Sequence, residues 1–214
     1  AGLNVARLNF SHGTHEEHKQ KLDMIKRVRE ELGLPIAIML DTKGPEYRIK
    51  TFKNGEIMLH DGDDFTFTTR EVEGDETIVS VSYSDLARDL EVGDTILVNN
   101  GLVIFRVTSI DGDDIHCTVV VGGKLSNRKS MSFPGKVLKQ VYLSEQDKSD
   151  LLFGIQNGVD YVAASFVSCR QDVADLKRFL QENGGGGIDI IAKIENRSGI
   201  DNIEEICEEC EGIM

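Results

Sequence analysis

The hydrophobic pattern of this 214-residue chain changes twice along its length, and these two changes restrict the fold more than any other feature. In residues 1–45 and 137–214, short apolar runs alternate with stretches whose apolar side chains recur every three or four positions. In residues 46–136, short β-prone stretches are separated by turn signals such as Asn100-Gly101. The sequence therefore predicts a βα-alternating domain, residues 1–45 and 137–214, interrupted by an all-β sandwich or small barrel over residues 46–136.

The first segment carries clear start and stop signals. Residues 4–9 are apolar-rich and predict a strand, and Thr14 with Glu17 has the spacing of a capping box that begins a helix. Gly33 follows the helical stretch as a stop signal. Residues 36–40 form an unbroken apolar run, which is typical of a strand buried on both faces of a parallel sheet.

The last segment repeats this alternation. Ser144 is expected to cap a helix, residues 161–166 and 188–194 are expected to form strands, and residues 212–214 resemble the start of another strand. Such alternation implies a parallel sheet, in either a doubly wound fold or a (β/α)8 barrel. The pattern alone does not choose between them.

Composition excludes several classes of protein. The chain has 37 acidic and 24 basic residues, and its net charge of −13 argues against nucleic-acid binding. No apolar run is long enough for a membrane span, and the first residues lack a signal-peptide pattern, so we expect a cytoplasmic protein whose natural N-terminus lies upstream. Cys207 and Cys210 lack the second pair that a zinc site needs, and we interpret them as small apolar residues on one helix face.

Polar side chains stand near the carboxyl ends of three predicted strands, where α/β sheets bind ligands. They comprise three cations and five oxygen donors: Arg7, Lys43 and Lys193, with Asn9, Ser11, Asp41, Thr42 and Glu195. Cations would hold an anionic substrate and the oxygens would hold hard metal ions. The pattern favours metal-assisted chemistry on a phosphate or carboxylate, although a structural Lys193–Glu195 ion pair is an alternative.

Four motifs stand out along the chain: residues 4–13 (NVARLNFSHG), 40–46 (LDTKGPE), 163–167 (AASFV) and 191–196 (IAKIEN). Together and in this order they resemble motifs of pyruvate kinases. The resemblance spans essentially the whole chain. It implies an incomplete (β/α)8 TIM barrel with a β-barrel lid domain inserted after the family's third barrel strand.

The resemblance also implies an activity and its residues. The activity is transfer of a phosphoryl group from phosphoenolpyruvate to ADP, giving pyruvate and ATP, with Mg²⁺ (or Mn²⁺) and K⁺ as cofactors. Arg7 and Lys193 are the implied catalytic and substrate-binding residues, and Phe166 is a pocket wall. The implied potassium ligands are Asn9, Ser11, Asp41 and Thr42, the implied magnesium ligand is Glu195, and the implied nucleotide-binding residues are Asn9, His12, Arg48 and Lys129. Glu46 matches the glutamate associated with potassium-dependent members, and the full-length protein would be a homotetramer.

The chain also departs from the family. Asn99 and Asn100 stand where members usually carry two aspartates, which puts in doubt a lid carboxylate near the metal. The family's first strand would precede residue 1, and an Ala-Arg-Gly-Asp segment with another metal ligand would follow Met214. We therefore expect the chain alone to be inactive. Two alternatives stay open here: an independently folding β insert with passenger flanks, and a different metal-dependent barrel enzyme such as a lyase.

Overall fold

The structure is a computed structural model that describes residues 2–136, 138–139 and 141–214. Among these residues the strands are β1 (Val5–Asn9), β2 (Ala37–Asp41), β3 (Glu56–Leu59), β4 (Asp64–Thr68), β5 (Ile78–Ser80), β6 (Thr95–Val98), β7 (Val103–Asp111), β8 (Asp114–Val121), β9 (Gly123–Ser126), β10 (Met131–Ser132), β11 (Tyr161–Ala164), β12 (Asp189–Ala192) and β13 (Gly212–Ile213). The helices are α1 (His15–Leu32), α2 (Leu86–Asp89), α3 (Glu145–Gln156), α4 (Arg170–Glu182), α5 (Arg197–Asp201) and α6 (Ile203–Cys207).

The chain divides into two compact units. Unit 1 comprises Ala1–Pro45 and Val141–Met214, and unit 2 comprises Glu46–Gln140. Residue 137, where the sequence predicts a return to the first domain, lies outside the described residues. Each unit has its own cluster of buried apolar side chains.

Unit 1 contains a five-stranded parallel sheet in the order β1-β2-β11-β12-β13. Each strand pairs with the strand that precedes it in unit 1, and the order never reverses. A doubly wound sheet requires such a reversal, whereas a (β/α)8 barrel adds its strands in sequence. The fold is therefore an incomplete (β/α)8 barrel, with an all-β domain inserted between β2 and α3.

Local signals in the sequence account for the helices of unit 1. Thr14 caps α1 in a reciprocal capping box with Glu17, and Gly33 ends the helix in the left-handed conformation at φ 62°. Ser144 caps α3 in the same way with Asp147. The predicted starts of both helices and the predicted end of α1 are confirmed.

Several element boundaries differ from the predictions. Strand β11 ends at Ala164 rather than at residue 166, because the chain turns sharply at Phe166, whose φ is +57°. Strand β12 likewise ends at Ala192, two residues before the predicted limit. Cys207 lies in α6 but Cys210 follows that helix, so the expectation of a shared helix face is wrong.

Unit 2 is a β domain with one apolar core, to which the short helix α2 also contributes. A six-stranded sheet in the order β10-β6-β7-β8-β4-β5 and the pair β3-β9 both contribute to this core. Phe65, Phe67 and Phe105 are almost fully buried and contact one another with ring centroids 4.8–5.5 Å apart. Aromatic burial of this kind stabilises a small domain whose short strands contribute little alone. Within the described residues, no helix of either unit has the length and apolar character needed to cross a bilayer.

Candidate active site

Parallel pairing brings the carboxyl ends of four strands of unit 1 to one edge of the sheet. Asn9 lies opposite Asp41 in the register of β1 and β2, and Asp41 lies opposite Ala163 in the register of β2 and β11. Ala164 in turn lies opposite Ala192 at the end of β12. The residues that follow these positions are therefore neighbours in space although they are far apart in the chain.

Asp41 is the centre of this edge. Its side chain is only 1% exposed. The Nε of Arg7 donates to its Oδ2 at 2.6 Å, and a second nitrogen of the same guanidinium contacts the same oxygen. The Nζ of Lys193 lies 3.2 Å from its Oδ1. A buried carboxylate with two cationic partners is compensated electrostatically, which explains how the sequence tolerates this charge in a strand core.

Lys193 is shared by groups from three strand ends. Besides Asp41, its Nζ contacts the Oγ of Ser165 at 2.9 Å and the Oε1 of Glu195 at 3.3 Å. Glu195 uses its other oxygen, Oε2, to accept from the backbone N–H of Phe166 at 3.0 Å. Arg7, Asp41, Lys193 and Glu195, all predicted from the sequence, therefore form one connected group.

Thr42 is buried between β2 and the turn after β11. Its hydroxyl lies 3.3 Å from the carbonyl oxygen of Ala163 and accepts from the N–H of Ser165 at 3.1 Å. Its own carbonyl accepts from the Ser165 hydroxyl at 2.6 Å. The Thr42 side chain is thus part of the hydrogen bonds that hold two strand ends together.

The loop after β1 carries three more of the predicted residues. The Oδ1 of Asn9 accepts from the N–H of Ser11 at 2.9 Å, so Ser11 lies in the turn that follows β1. His12 is exposed, and its carbonyl oxygen lies 2.8 Å from the Nε2 of His18. His18 is buried and stacks on Phe10 with ring centroids 4.0 Å apart, which fixes this loop against α1. Lys43 is exposed, and it is not part of the Asp41 group.

Comparisons with known proteins address the origin of this arrangement. The family model described as the barrel domain of pyruvate kinase matches residues 1–214. The chain belongs to the pyruvate kinase family. A pyruvate kinase of Clostridium perfringens is 46% identical over 214 residues, covering 100% of this chain and 45% of that protein. A pyruvate kinase of Staphylococcus haemolyticus is 46% identical over 216 residues, covering 100% of this chain and 37% of that protein.

A solved structure agrees with these sequence relatives. The crystal structure of a pyruvate kinase from Cryptosporidium parvum matches with a TM-score of 0.91 and 36% identity, over 100% of this chain and 45% of that one. The chain thus spans less than half the length of the pyruvate kinases it matches here. The family match removes the alternative of an unrelated barrel lyase.

The oxygen donors of the site match the chemistry of the family's metal ions in kind. Glu195 offers a carboxylate that is 33% exposed, and Mg²⁺ is often bound by one or two carboxylates together with substrate phosphates. The amide, hydroxyl and carboxylate oxygens of Asn9, Ser11, Thr42 and Asp41 are hard donors of the type that K⁺ binds. No group of three or more histidine, cysteine or acidic side chains suited to a metal occurs in the described part of the chain.

Two of the residues predicted to bind the nucleotide, Arg48 and Lys129, belong to unit 2. The Arg48 guanidinium contacts the Glu46 carboxylate and the carbonyl oxygen of Arg128. The backbone of Lys129 accepts from the N–H of Ile49 at 3.0 Å. Asn100 and Gly101 are the central residues of a tight turn closed by a 3.2 Å hydrogen bond from Leu102 to Asn99, and their φ values are 57° and 81°.

Three supporting residues were not singled out from the sequence. Ser165 contacts Lys193, Asp41 and Thr42, and the Tyr142 hydroxyl donates to the Ser165 carbonyl at 2.8 Å. Burial raises the pKa of Tyr142 well above its usual value, so this phenol keeps its proton and remains a donor. Asp147 completes the capping box that Ser144 begins at the start of α3. It also accepts from the N–H of Gly44 at 3.0 Å. A hydroxyl residue directly after an apolar strand was the available signal for Ser165.

Proposed function

We propose that this chain contributes the phosphate-binding side of a pyruvate kinase active site, which transfers the phosphoryl group of phosphoenolpyruvate to ADP. One observation carries the proposal: Arg7 and Lys193 converge on opposite oxygens of the buried Asp41. Two cations held within reach of one carboxylate form a site that is also suited to a phosphorylated carboxylic acid. Phosphoryl transfer depends on such positioning and charge neutralisation more than on covalent chemistry by the protein.

Each cation has a distinct role in the proposed reaction. Arg7 binds the phosphate of phosphoenolpyruvate, and its planar guanidinium suits two phosphate oxygens. The bond between phosphorus and the enol oxygen breaks as an oxygen of the ADP β-phosphate attacks the phosphorus. Lys193 stabilises the charge on the moving phosphoryl group and on the enolate left behind, which takes a proton to become pyruvate. Phe166 forms a wall of this pocket.

The proposed cofactors follow from the oxygen donors. Glu195 would hold Mg²⁺ or Mn²⁺, and Asn9, Ser11, Asp41 and Thr42 would hold K⁺. When bound, these ions neutralise phosphate charge. Asn9, His12, Arg48 and Lys129 are the proposed nucleotide contacts, and Glu46 is the proposed determinant of potassium dependence. We propose a cytoplasmic protein that binds neither nucleic acid nor membranes and is a homotetramer at full length.

Titration calorimetry of the chain with phosphoenolpyruvate, in the presence of Mg²⁺ and K⁺, tests the phosphate site. Arg7→Met and Lys193→Met should each weaken binding about 10- to 100-fold, as loss of a charge-assisted hydrogen bond predicts. Arg178→Met is the matched control, because Arg178 is 64% exposed on α4 and pairs only with Asp175 among the described contacts. Equal effects of all three substitutions would contradict the proposal.

Activity is tested separately. We propose that the 214 residues alone release no pyruvate in a lactate dehydrogenase-coupled assay. A chimera in which these 214 residues replace the matching segment of the Clostridium perfringens pyruvate kinase should be active. Lys193→Met should inactivate that chimera. A chimera that folds and remains inactive would count against a catalytic role for these residues, and full activity of the chain alone would contradict the expected inactivity.

A further inference from the structure

We propose that Ser165 is a positioning residue that holds the ammonium group of Lys193 in place, a role that rests on the function proposed above for Lys193. The Oγ of Ser165 lies 2.9 Å from the Nζ of Lys193. That distance is shorter than the 3.2 Å to Asp41 and the 3.3 Å to Glu195. The closest partner of the ammonium is therefore the neutral hydroxyl of Ser165, which follows β11. The two carboxylates, Asp41 at the end of β2 and Glu195 after β12, lie slightly farther away.

The direction of this hydrogen bond follows from the donors and acceptors available. An ammonium has only hydrogens to donate, so Ser165 must accept from Lys193. The single hydroxyl proton of Ser165 then goes to another acceptor, and the carbonyl oxygen of Thr42 at 2.6 Å is closer than the Oδ1 of Asp41 at 3.2 Å. With its proton committed to Thr42, the hydroxyl directs a lone pair at Lys193.

Ser165 is itself fixed on every side. It is 2% exposed, its N–H donates to the Thr42 hydroxyl, and its carbonyl oxygen accepts from Tyr142. Gly44 lies against the same residue, since a Cβ added at Gly44 would be 2.6 Å from the Ser165 carbonyl oxygen. A residue whose backbone and side-chain polar atoms are all hydrogen-bonded provides a rigid acceptor.

A rigid acceptor matters because lysine has a long, flexible stem. Lys193 is 13% exposed and lies between two carboxylates, so its ammonium has more than one favourable position. A neutral acceptor fixed beside the ammonium selects one position without adding charge. Catalytic groups held in one geometry avoid an entropic cost when the substrate binds.

Side-chain NMR relaxation on the chain without ligand tests this role directly. With ¹³C-labelled lysine, Ser165→Ala should lower the order parameter of the Lys193 Cε to below about 0.6, the range of a flexible group. Ser165→Cys, which keeps the volume but is a weak acceptor, should do the same and covers the case in which the alanine variant folds poorly. Ser168→Ala is the matched control, because that hydroxyl interacts with Phe166 and Asn196 instead. An unchanged order parameter in both Ser165 variants would overturn the proposal.

A double-mutant cycle then links the contact to substrate binding. Ser165→Ala should weaken phosphoenolpyruvate binding about 5- to 10-fold in the wild-type background, which is the size of one lost hydrogen bond. In the Lys193→Met background the same substitution should have no further effect. Additive losses would mean that Ser165 acts on folding rather than through Lys193. Because the relaxation experiment needs no substrate, a chain that binds no phosphoenolpyruvate would contradict the proposed function and leave the positioning role separately testable.

Discussion

The two units bury different kinds of side chain at their centres. Eight polar or charged residues are buried among the described residues, and six of them belong to unit 1: His18, Asp41, Thr42, Asp147, Asp150 and Ser165. Unit 2 buries only the hydroxyl residues Thr68 and Ser80 from this set, and its ion pair between Arg70 and Asp114 is partly exposed. Burying an acid is costly unless partners compensate for it, so such residues are retained where they serve a purpose.

The polar groups that could support chemistry are therefore concentrated in unit 1, whereas the core of unit 2 consists mainly of apolar side chains. In unit 2, apolar strand faces enclose a core and no buried acid needs compensation. In unit 1, the same kind of apolar core lies beneath a polar strand edge whose groups compensate one another. Matched substitutions in the two units test whether this difference is real.

The largest effect is expected for one of two glycines in the left-handed conformation. Gly44 of unit 1 has φ +69°, and an added Cβ would lie 2.6 Å from the Ser165 carbonyl oxygen. Gly112 of unit 2 has φ +58° with nothing within 4 Å of an added Cβ. Gly44→Ala should cost about 3–4 kcal/mol, from backbone strain and overpacking, and Gly112→Ala about 1 kcal/mol from strain alone.

Hydrogen exchange measured peptide by peptide gives the free energy of opening for each unit. Gly44→Ala should also displace Ser165 and lower the affinity for phosphoenolpyruvate, an effect that Gly112→Ala should lack. Equal costs for the two glycines would show that the strand edge of unit 1 is no more tightly packed than a surface hairpin.

The next largest effect is expected for one of two aspartates that pair with arginine. Asp41→Asn removes the charge that compensates Arg7 and Lys193, and it should cost about 3 kcal/mol, the low end for breaking a buried ion pair, because Arg7 is half exposed. Asp114→Asn breaks the pair with Arg70, but Asp114 is 25% exposed whereas Asp41 is 1% exposed, so this substitution should change stability little. Urea unfolding monitored by circular dichroism compares them, and the expected order would be contradicted by a larger loss for Asp114→Asn.

The sequence predicts the domain plan and most of the charged site, for identifiable reasons. Capping boxes at Thr14 and Ser144 are local, so their helix boundaries can be recognised without tertiary information. Arg7, Asp41 and Lys193 stand out because charges are unusual in buried strands. Ser165, Tyr142 and Asp147 do not stand out, because their roles depend on contacts between residues far apart in sequence, such as the 2.8 Å bond from Tyr142 to Ser165.

The strand limits were missed for a related reason. The stretches around Phe166 and Lys193 continue the apolar alternation, so periodicity alone extends the strands through them. The chain turns earlier because Phe166 adopts a positive φ and its N–H bonds to Glu195 rather than to a strand neighbour. Tertiary hydrogen bonding at a strand end thus overrides the local pattern.

The smallest effects are expected in the pH dependence, where the two units should respond with opposite signs. Burial raises the pKa of Asp172 in unit 1 above its usual value of 3.8. Hydrogen bonds from the Thr77 hydroxyl and N–H lower the pKa of Asp75 in unit 2 below the same value. An acid whose pKa is raised in the folded state contributes stability at low pH, and this contribution is lost as the pH rises through the pKa of the folded state. An acid whose pKa is lowered in the folded state contributes stability at higher pH, and this contribution is lost as the pH falls through the pKa of the folded state.

Urea unfolding from about pH 3 to pH 6 separates the two responses. Relative to the wild type, Asp172→Asn should become more stable as pH rises, because the wild type must ionise a buried acid and the amide does not. Asp75→Asn should lose stability relative to the wild type over the same rise, because only the carboxylate gains strength from the two Thr77 donors. Parallel pH profiles for the two variants would show that burial and hydrogen bonding do not differ between the units at these acids. The contrast between a polar centre and an apolar one would then hold for Asp41 and its partners alone.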